Sequence, residues 1–124
     1  MIQPSIQIFG LENDQATRAA QRFFKERRVP ISFVDLRKRA IAPGELRRFV
    51  DRLGARALMN ETSRVYGEAG LGFLRMDDDD VVARVLADAS LLRLPLVRNG
   101  NEVTVGRAEA TWKGWLTDAA RPEP

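Results

Sequence analysis

Cysteine and histidine are both absent from this chain. The first absence excludes disulfides and thiolate nucleophiles, and the second removes imidazole acid–base catalysis. Together they remove zinc sites of the usual type. Long hydrophobic runs are missing as well: the apolar stretches span a few residues, too few to cross a membrane. The opening MIQPSIQIFG has no charged segment leading into a long apolar one, so no signal peptide is expected and the cytoplasm is the expected location. There is no low-complexity tract, no internal repeat and no linker-like stretch.

What is present suits a small folded protein. The chain has 124 residues, 44% of them apolar, enough for one domain around one core. A single domain is expected over residues 1–116, with a loose tail over 117–124 that ends Arg-Pro-Glu-Pro. Twenty basic residues, nearly all arginine, face 17 acidic ones, for a net charge of +3. So small an excess does not mark a nucleic-acid protein, and direct nucleic-acid binding is not expected. The clusters Arg27-Arg28, Arg37-Lys38-Arg39 and Arg47-Arg48 carry no interleaved aromatics for base stacking and read as solvated faces, with a phosphate or acidic-protein contact as the functional alternative.

Periodicity supplies the elements. Gln3 to Phe9 reads as a strand that runs into the loop at Gly10. Ala16, Ala19, Ala20, Phe23 and Phe24 recur at helical spacing, with Asn13 or Asp14 placed to cap the helix and Pro30 to end it near Arg28. Ile31 to Leu36 is a second strand, and the short crossover favours parallel pairing with the first. Pro43 starts a helix that Gly54 ends, with Leu46, Phe49, Val50 and Leu53 on one face. Ala55 to Met59 fits a short helical turn, and Asn60 to Gly72 is polar and glycine-rich. Asp77 to Asp80 lead into Val81, Val82, Val85 and Leu86 as a third helix, the acids at its positive end rather than around a cation. Leu94 to Val97, the turn Asn99-Gly100 and Glu102 to Val105 form a hairpin, and Ala110 to Leu116 a closing helix with Trp112 and Trp115 as packing aromatics.

The order is β-α-β, a helical block, then β-β-α. ISFVDLRK followed by APGELRRFVDRLG, then LMNETSRVYGEAGLG, then DDDDVVARVLADASLLRLPLVRNGNEVTVGRAEATW, resemble in order and spacing the ArsC/Spx family of glutaredoxin-coupled arsenate reductases and their relatives. The resemblance covers Ile6 to about Trp115. It implies an α/β, thioredoxin-like fold: a mixed four-stranded sheet with a helical insert between the βαβ and ββα halves.

It also implies a site at the first strand-to-helix turn. In register with Gly10, the family's cysteine falls on Asp14 and the asparagine before it on Asn13; the second cysteine of Spx-like members falls on Thr17. Pro95 matches the family's cis-proline. Of the anion-binding arginines, one falls on Leu94 with Arg93 a residue earlier, one on Asn60, and one is matched by Arg107. Arg93, Arg98 and Arg107 are the candidates for a residual anion site. A carboxylate cannot form a mixed disulfide, and Asp14 reads as a helix cap. The expectation is a non-catalytic protein- or anion-binding module without cofactor or metal. By analogy to Spx-type relatives, a protein partner such as RNA polymerase has a precedent. The alternative is an arsenate-reductase-like or glutaredoxin-like oxidoreductase that borrows an external thiol.

Overall fold

The computed structural model describes residues 5–120, with side chains to Thr117. Four strands, β1 (Ile6–Gly10), β2 (Ile31–Asp35), β3 (Leu96–Asn99) and β4 (Glu102–Val105), form one sheet in the order β2-β1-β3-β4. β1 pairs parallel with β2, Ile8 opposite Phe33, and antiparallel with β3, Ile8 opposite Val97. This is the expected thioredoxin-like mixed sheet.

Alternation along β1 sorts the core into two layers. Ile6 and Ile8 face helices α1 (Gln15–Glu26) and α5 (Glu109–Ala120), where Phe23, Phe24, Trp112 and Trp115 are buried. Phe9 faces the other way, onto Leu46, Phe49 and Val50 of α2 (Pro43–Leu53) and Val81 and Val85 of α4 (Asp78–Ala87). Phe9 and Phe49 meet edge to face with ring centroids 5.9 Å apart. Among the described residues, no helix is long and apolar enough to cross a membrane.

The helical insert holds more structure than its periodicity announces. Between α2 and α4 lie the 3₁₀ turn Arg56–Leu58, the five-residue helix α3 (Arg64–Glu68) and a second 3₁₀ turn, Leu71–Phe73. α3 starts on Ser63, whose Oγ accepts the Tyr66 N–H at 3.0 Å. The insert is tied to the sheet end by an antiparallel bridge, Met59 opposite Leu92. Bonds from Asn60 N to the Leu91 carbonyl (2.7 Å) and from Arg93 N to the Leu58 carbonyl (2.8 Å) flank it. α4 begins as the acidic run suggests. Asp77 caps the Asp80 N–H and Asp80 returns the bond to the Asp77 N–H, a reciprocal capping box.

Three boundaries differ from expectation. β3 starts at Leu96 rather than Leu94, because Pro95 has no N–H for a ladder. Asn99 pairs with Glu102, so the hairpin's two central residues are Gly100 and Asn101 rather than Asn99 and Gly100. Gly100 has φ +61° while Asn101 keeps a negative φ, the pattern of a turn with glycine first. α5 runs from Glu109 through Ala120, so residues 117–120 continue the helix; residues 121–124 lie outside the described ones, as does the expected start of the first strand at Gln3 and Pro4.

Candidate functional site

The turn Gly10–Asp14 lies where the parallel strand β1 hands over to α1. Asp14 is the N-cap: its backbone is extended, and its Oδ2 accepts both the Thr17 N–H and the Thr17 hydroxyl, each at 2.8 Å. One carboxylate oxygen therefore satisfies a helix-end donor and a side-chain donor together. Thr17 is fully buried. It lies against Gly10, where an added Cβ would fall within 2.6 Å of Thr17 Cγ2. Gly10 is thus glycine because a threonine fills the space its side chain would need. The two positions where the resemblance places cysteines are joined here by a carboxylate–hydroxyl hydrogen bond. Asn13 is exposed in the same turn.

This arrangement predicts an ordered effect of substitution. Asp14→Ser retains a cap and should change stability by less than about 1 kcal/mol. Asp14→Ala also strands the buried Thr17 hydroxyl and should cost about 2 kcal/mol. Urea unfolding of the three proteins measures both. Equal and large losses would show that the carboxylate does something a serine cap cannot.

The Leu94–Pro95 peptide is cis, and the Pro95 carbonyl accepts the Gly106 N–H at 2.9 Å. Pro95 is buried beside the start of β3, at the end of the sheet where β1 finishes. Gly106 has φ +72°, and the Arg93 guanidinium lies against it, with Nε 3.0 Å from where a Cβ would stand. Arg93 also lines a pocket of about 540 Å³ with Arg56, Asn60 and Thr62. The Met59–Leu92 bridge brings Asn60 and Arg93 to that pocket. Asn60 turns its Oδ1 to its own loop, accepting from the Thr62 hydroxyl at 2.6 Å and the Thr62 N–H at 3.1 Å. Arg107 is exposed and paired with Glu109 at 2.7 Å.

Arg98 does not belong with the other two arginines. It sits opposite Gln7, three residues back along β1 from Gly10. Its guanidinium reaches Gln7 Oε1 at 3.3 Å and Glu45 Oε2 at 3.5 Å. Glu45 in turn holds Arg48 at 3.2 Å. Arg98 is a strut between the sheet and α2. Of the three basic clusters, two meet where Arg39 and Arg48 line one pocket with Glu45. Arg47 meets Asp79, Arg48 meets Glu45, and Arg27 caps the Phe23 carbonyl while its guanidinium lies 3.8 Å over the Phe23 ring. Thr17 is the site residue that periodicity hides, because a threonine in a first helical turn carries no mark of burial.

The ArsC family pattern matches residues 9–115. No functionally curated protein matches the chain. Among solved structures, the YffB protein superposes with a TM-score of 0.82 at 18% identity, over 89% of this chain and 97% of its own. An ArsC family related protein from Bacteroides fragilis gives 0.79 at 18% identity, over 89% and 97%. An arsenate reductase from Vibrio cholerae gives 0.77 at 20% identity, over 89% and 96%. The match to the family over most of the chain, on the thioredoxin-like sheet just described, places this protein in the ArsC family as a member without cysteine.

Proposed function

We propose that the chain is a non-catalytic ArsC-family protein that acts as a binding module for a protein partner, its redox site filled by its own side chain. The supporting observation is the Asp14 carboxylate. It occupies the N-terminus of α1, accepting two hydrogen bonds from Thr17 at 2.8 Å. Oxyanion or disulfide reduction on this scaffold requires a thiolate that attacks sulfur or arsenic and is then released by a second thiol. The chain has no thiol. A carboxylate also takes the place an incoming anion would use, since both are drawn to the same helix end. Two negative charges a few ångströms apart near a surface repel by about 1–4 kcal/mol.

The consequence is measurable by NMR titration of sulfate and arsenate. The native protein should bind either in the millimolar range or more weakly. Asp14→Asn keeps the shape and an acceptor oxygen, removes the charge and should tighten binding. Arg107→Ala in that background should weaken it again, since the exposed Arg107–Glu109 pair is of the kind worth little and easily given up to an anion. Micromolar oxyanion binding to the native protein would overturn this reading and favour an oxyanion-handling enzyme that uses an external thiol.

A further inference from the structure

A second surface, along α1, carries charge that meets no carboxylate among the described residues. Arg18, Arg22 and Lys25 follow one another at helical spacing on α1, and Arg28 continues the row beyond its end. They wall a groove of about 800 Å³ whose floor is Val29, Pro30 and Ile31. None of the ion pairs among the described residues involves any of the four, whereas Arg47, Arg48, Arg56, Arg64, Arg98 and Arg107 all meet carboxylates. Among the described residues, no acidic side chain lines the groove.

The groove also runs onto an open strand edge. Among the described residues, β2 is the outermost strand and pairs only with β1. Leu36 donates its N–H to the Gly10 carbonyl at 2.9 Å, which fixes the alternation of the parallel ladder. The N–H and C=O groups of Ile31 and Phe33 therefore point away from the sheet. Arg28 reinforces the assignment. It ends α1 with φ +58°, the one non-glycine with positive φ among the described residues. Its N–H reaches the Lys25 carbonyl at 3.0 Å and the next N–H, of Val29, reaches that of Phe24 at 2.9 Å. Glycine is the residue best suited to that position of a helix terminus. The chain keeps an arginine there, at a cost in backbone strain, and its side chain lines the groove.

We infer that this groove is the docking site for an acidic, extended segment of another protein. The segment pairs its backbone with the outward groups of Ile31 and Phe33 and sets its carboxylates against Arg18, Arg22, Lys25 and Arg28. Charge complementarity selects an acidic occupant. The open edge selects a polypeptide, because a strand's main chain matches those donors and acceptors and a phosphodiester chain does not. The floor offers aliphatic surface and no aromatic face for a base. The inference rests on the reading of the chain as a binding module and supplies the chemistry of its partner.

The test uses a fluorescein-labelled decapeptide in which glutamate alternates with valine and threonine, at about 50 mM salt, where exposed charges are weakly screened. Fluorescence anisotropy should show micromolar binding to the native protein, at least tenfold weaker with glutamines in place of the glutamates. N-methylation of alternate peptide nitrogens keeps the charge, removes the strand donors and should also weaken binding at least fivefold. The Ile31 and Phe33 amides should shift in NMR spectra and gain protection from exchange. Arg18→Glu with Arg22→Glu should cost at least tenfold in affinity with the unfolding midpoint unchanged. Arg28→Gly should raise that midpoint and yet weaken binding, which a purely structural arginine would not do.

Equal affinity for the glutamine or N-methylated peptide overturns the proposal. So does tighter binding of a ten-nucleotide oligothymidylate, or self-association abolished by the charge reversal, which would make the occupant a second copy. Thiol-dependent turnover by the chain would remove the non-catalytic reading and leave the peptide data standing. Absent peptide binding in a chain without turnover would remove the groove alone.

Discussion

Trp112→Ala is expected to destabilise the protein by about 3–5 kcal/mol, the loss typical of a buried tryptophan. Trp112 is wholly buried and packs against both Phe23 and Phe24, with ring centroids at 5.5 and 5.6 Å. Its Nε1–H donates to the Thr104 hydroxyl at 2.8 Å inside the core, joining α5 to β4. Trp112→Phe keeps much of the apolar area but leaves that hydroxyl buried without its donor, and should cost about 1–3 kcal/mol. Thr104→Val added to Trp112→Phe should recover part of the loss, since an apolar group there no longer needs a partner. Urea unfolding of the four proteins gives the numbers. If Trp112→Phe costs no more than a surface substitution, the Trp112–Thr104 bond does not hold α5 in place.

Gly10→Ala is the second large effect, and it probes the candidate site itself. Replacing glycine by alanine in a strand gains about 0.4–1 kcal/mol from the stiffer unfolded chain. Here the new methyl would fall within 2.6 Å of Thr17 Cγ2 and 3.0 Å of its Cβ, both buried. Overpacking of this kind costs about 1–3 kcal/mol or more, and it wins because neither β1 nor α1 has room to retreat. A net loss of about 2 kcal/mol is expected. Thr17→Ala removes the two nearest atoms, so Gly10→Ala should be far better tolerated in that background. Additive losses would mean that the contact between the turn and the helix is not what keeps position 10 a glycine.

The helices with long apolar faces were legible from spacing. Phe23 and Phe24 on α1, and Leu46, Phe49 and Val50 on α2, are buried where their periodicity puts them. The strands were legible from β-branched runs, and the resemblance supplied their thioredoxin-like order. α3 was not, because five residues containing a glycine show no period; Ser63 starts it through one side-chain bond. The hairpin register differs from the sequence expectation by one residue, since Asn99-Gly100 is a favourable turn pair in isolation and the ladder to β1 overrides it by pairing Asn99 with Ile6.

At the site, Asp14 as a cap was legible from its place before a helical pattern. Its bond to the Thr17 hydroxyl was not, because nothing in the sequence says that Thr17 is buried. The sequence groups Arg98 with Arg93 and Arg107, since all three lie in or beside the hairpin segment. The strand separates them: Arg98 lies opposite Gln7, toward the start of β1, while Pro95 and Gly106 lie near its end. The row Arg18, Arg22 and Lys25 could be read from sequence only as a solvated helix face. Its place beside an open strand edge follows from the strand order, which spacing alone does not give.

The proposed absence of thiol chemistry from this cysteine-less ArsC-family chain is tested most directly by turnover. Purified protein, free of other reductases, is incubated with arsenate, glutathione, glutaredoxin and an NADPH-coupled regenerating system, and in parallel with a glutathione mixed disulfide. A chain with no cysteine and a carboxylate at the head of α1 should leave both rates at the level of the mixture without it. NADPH consumption that rises in proportion to added chain, and that Asp14→Ala abolishes, would contradict the account.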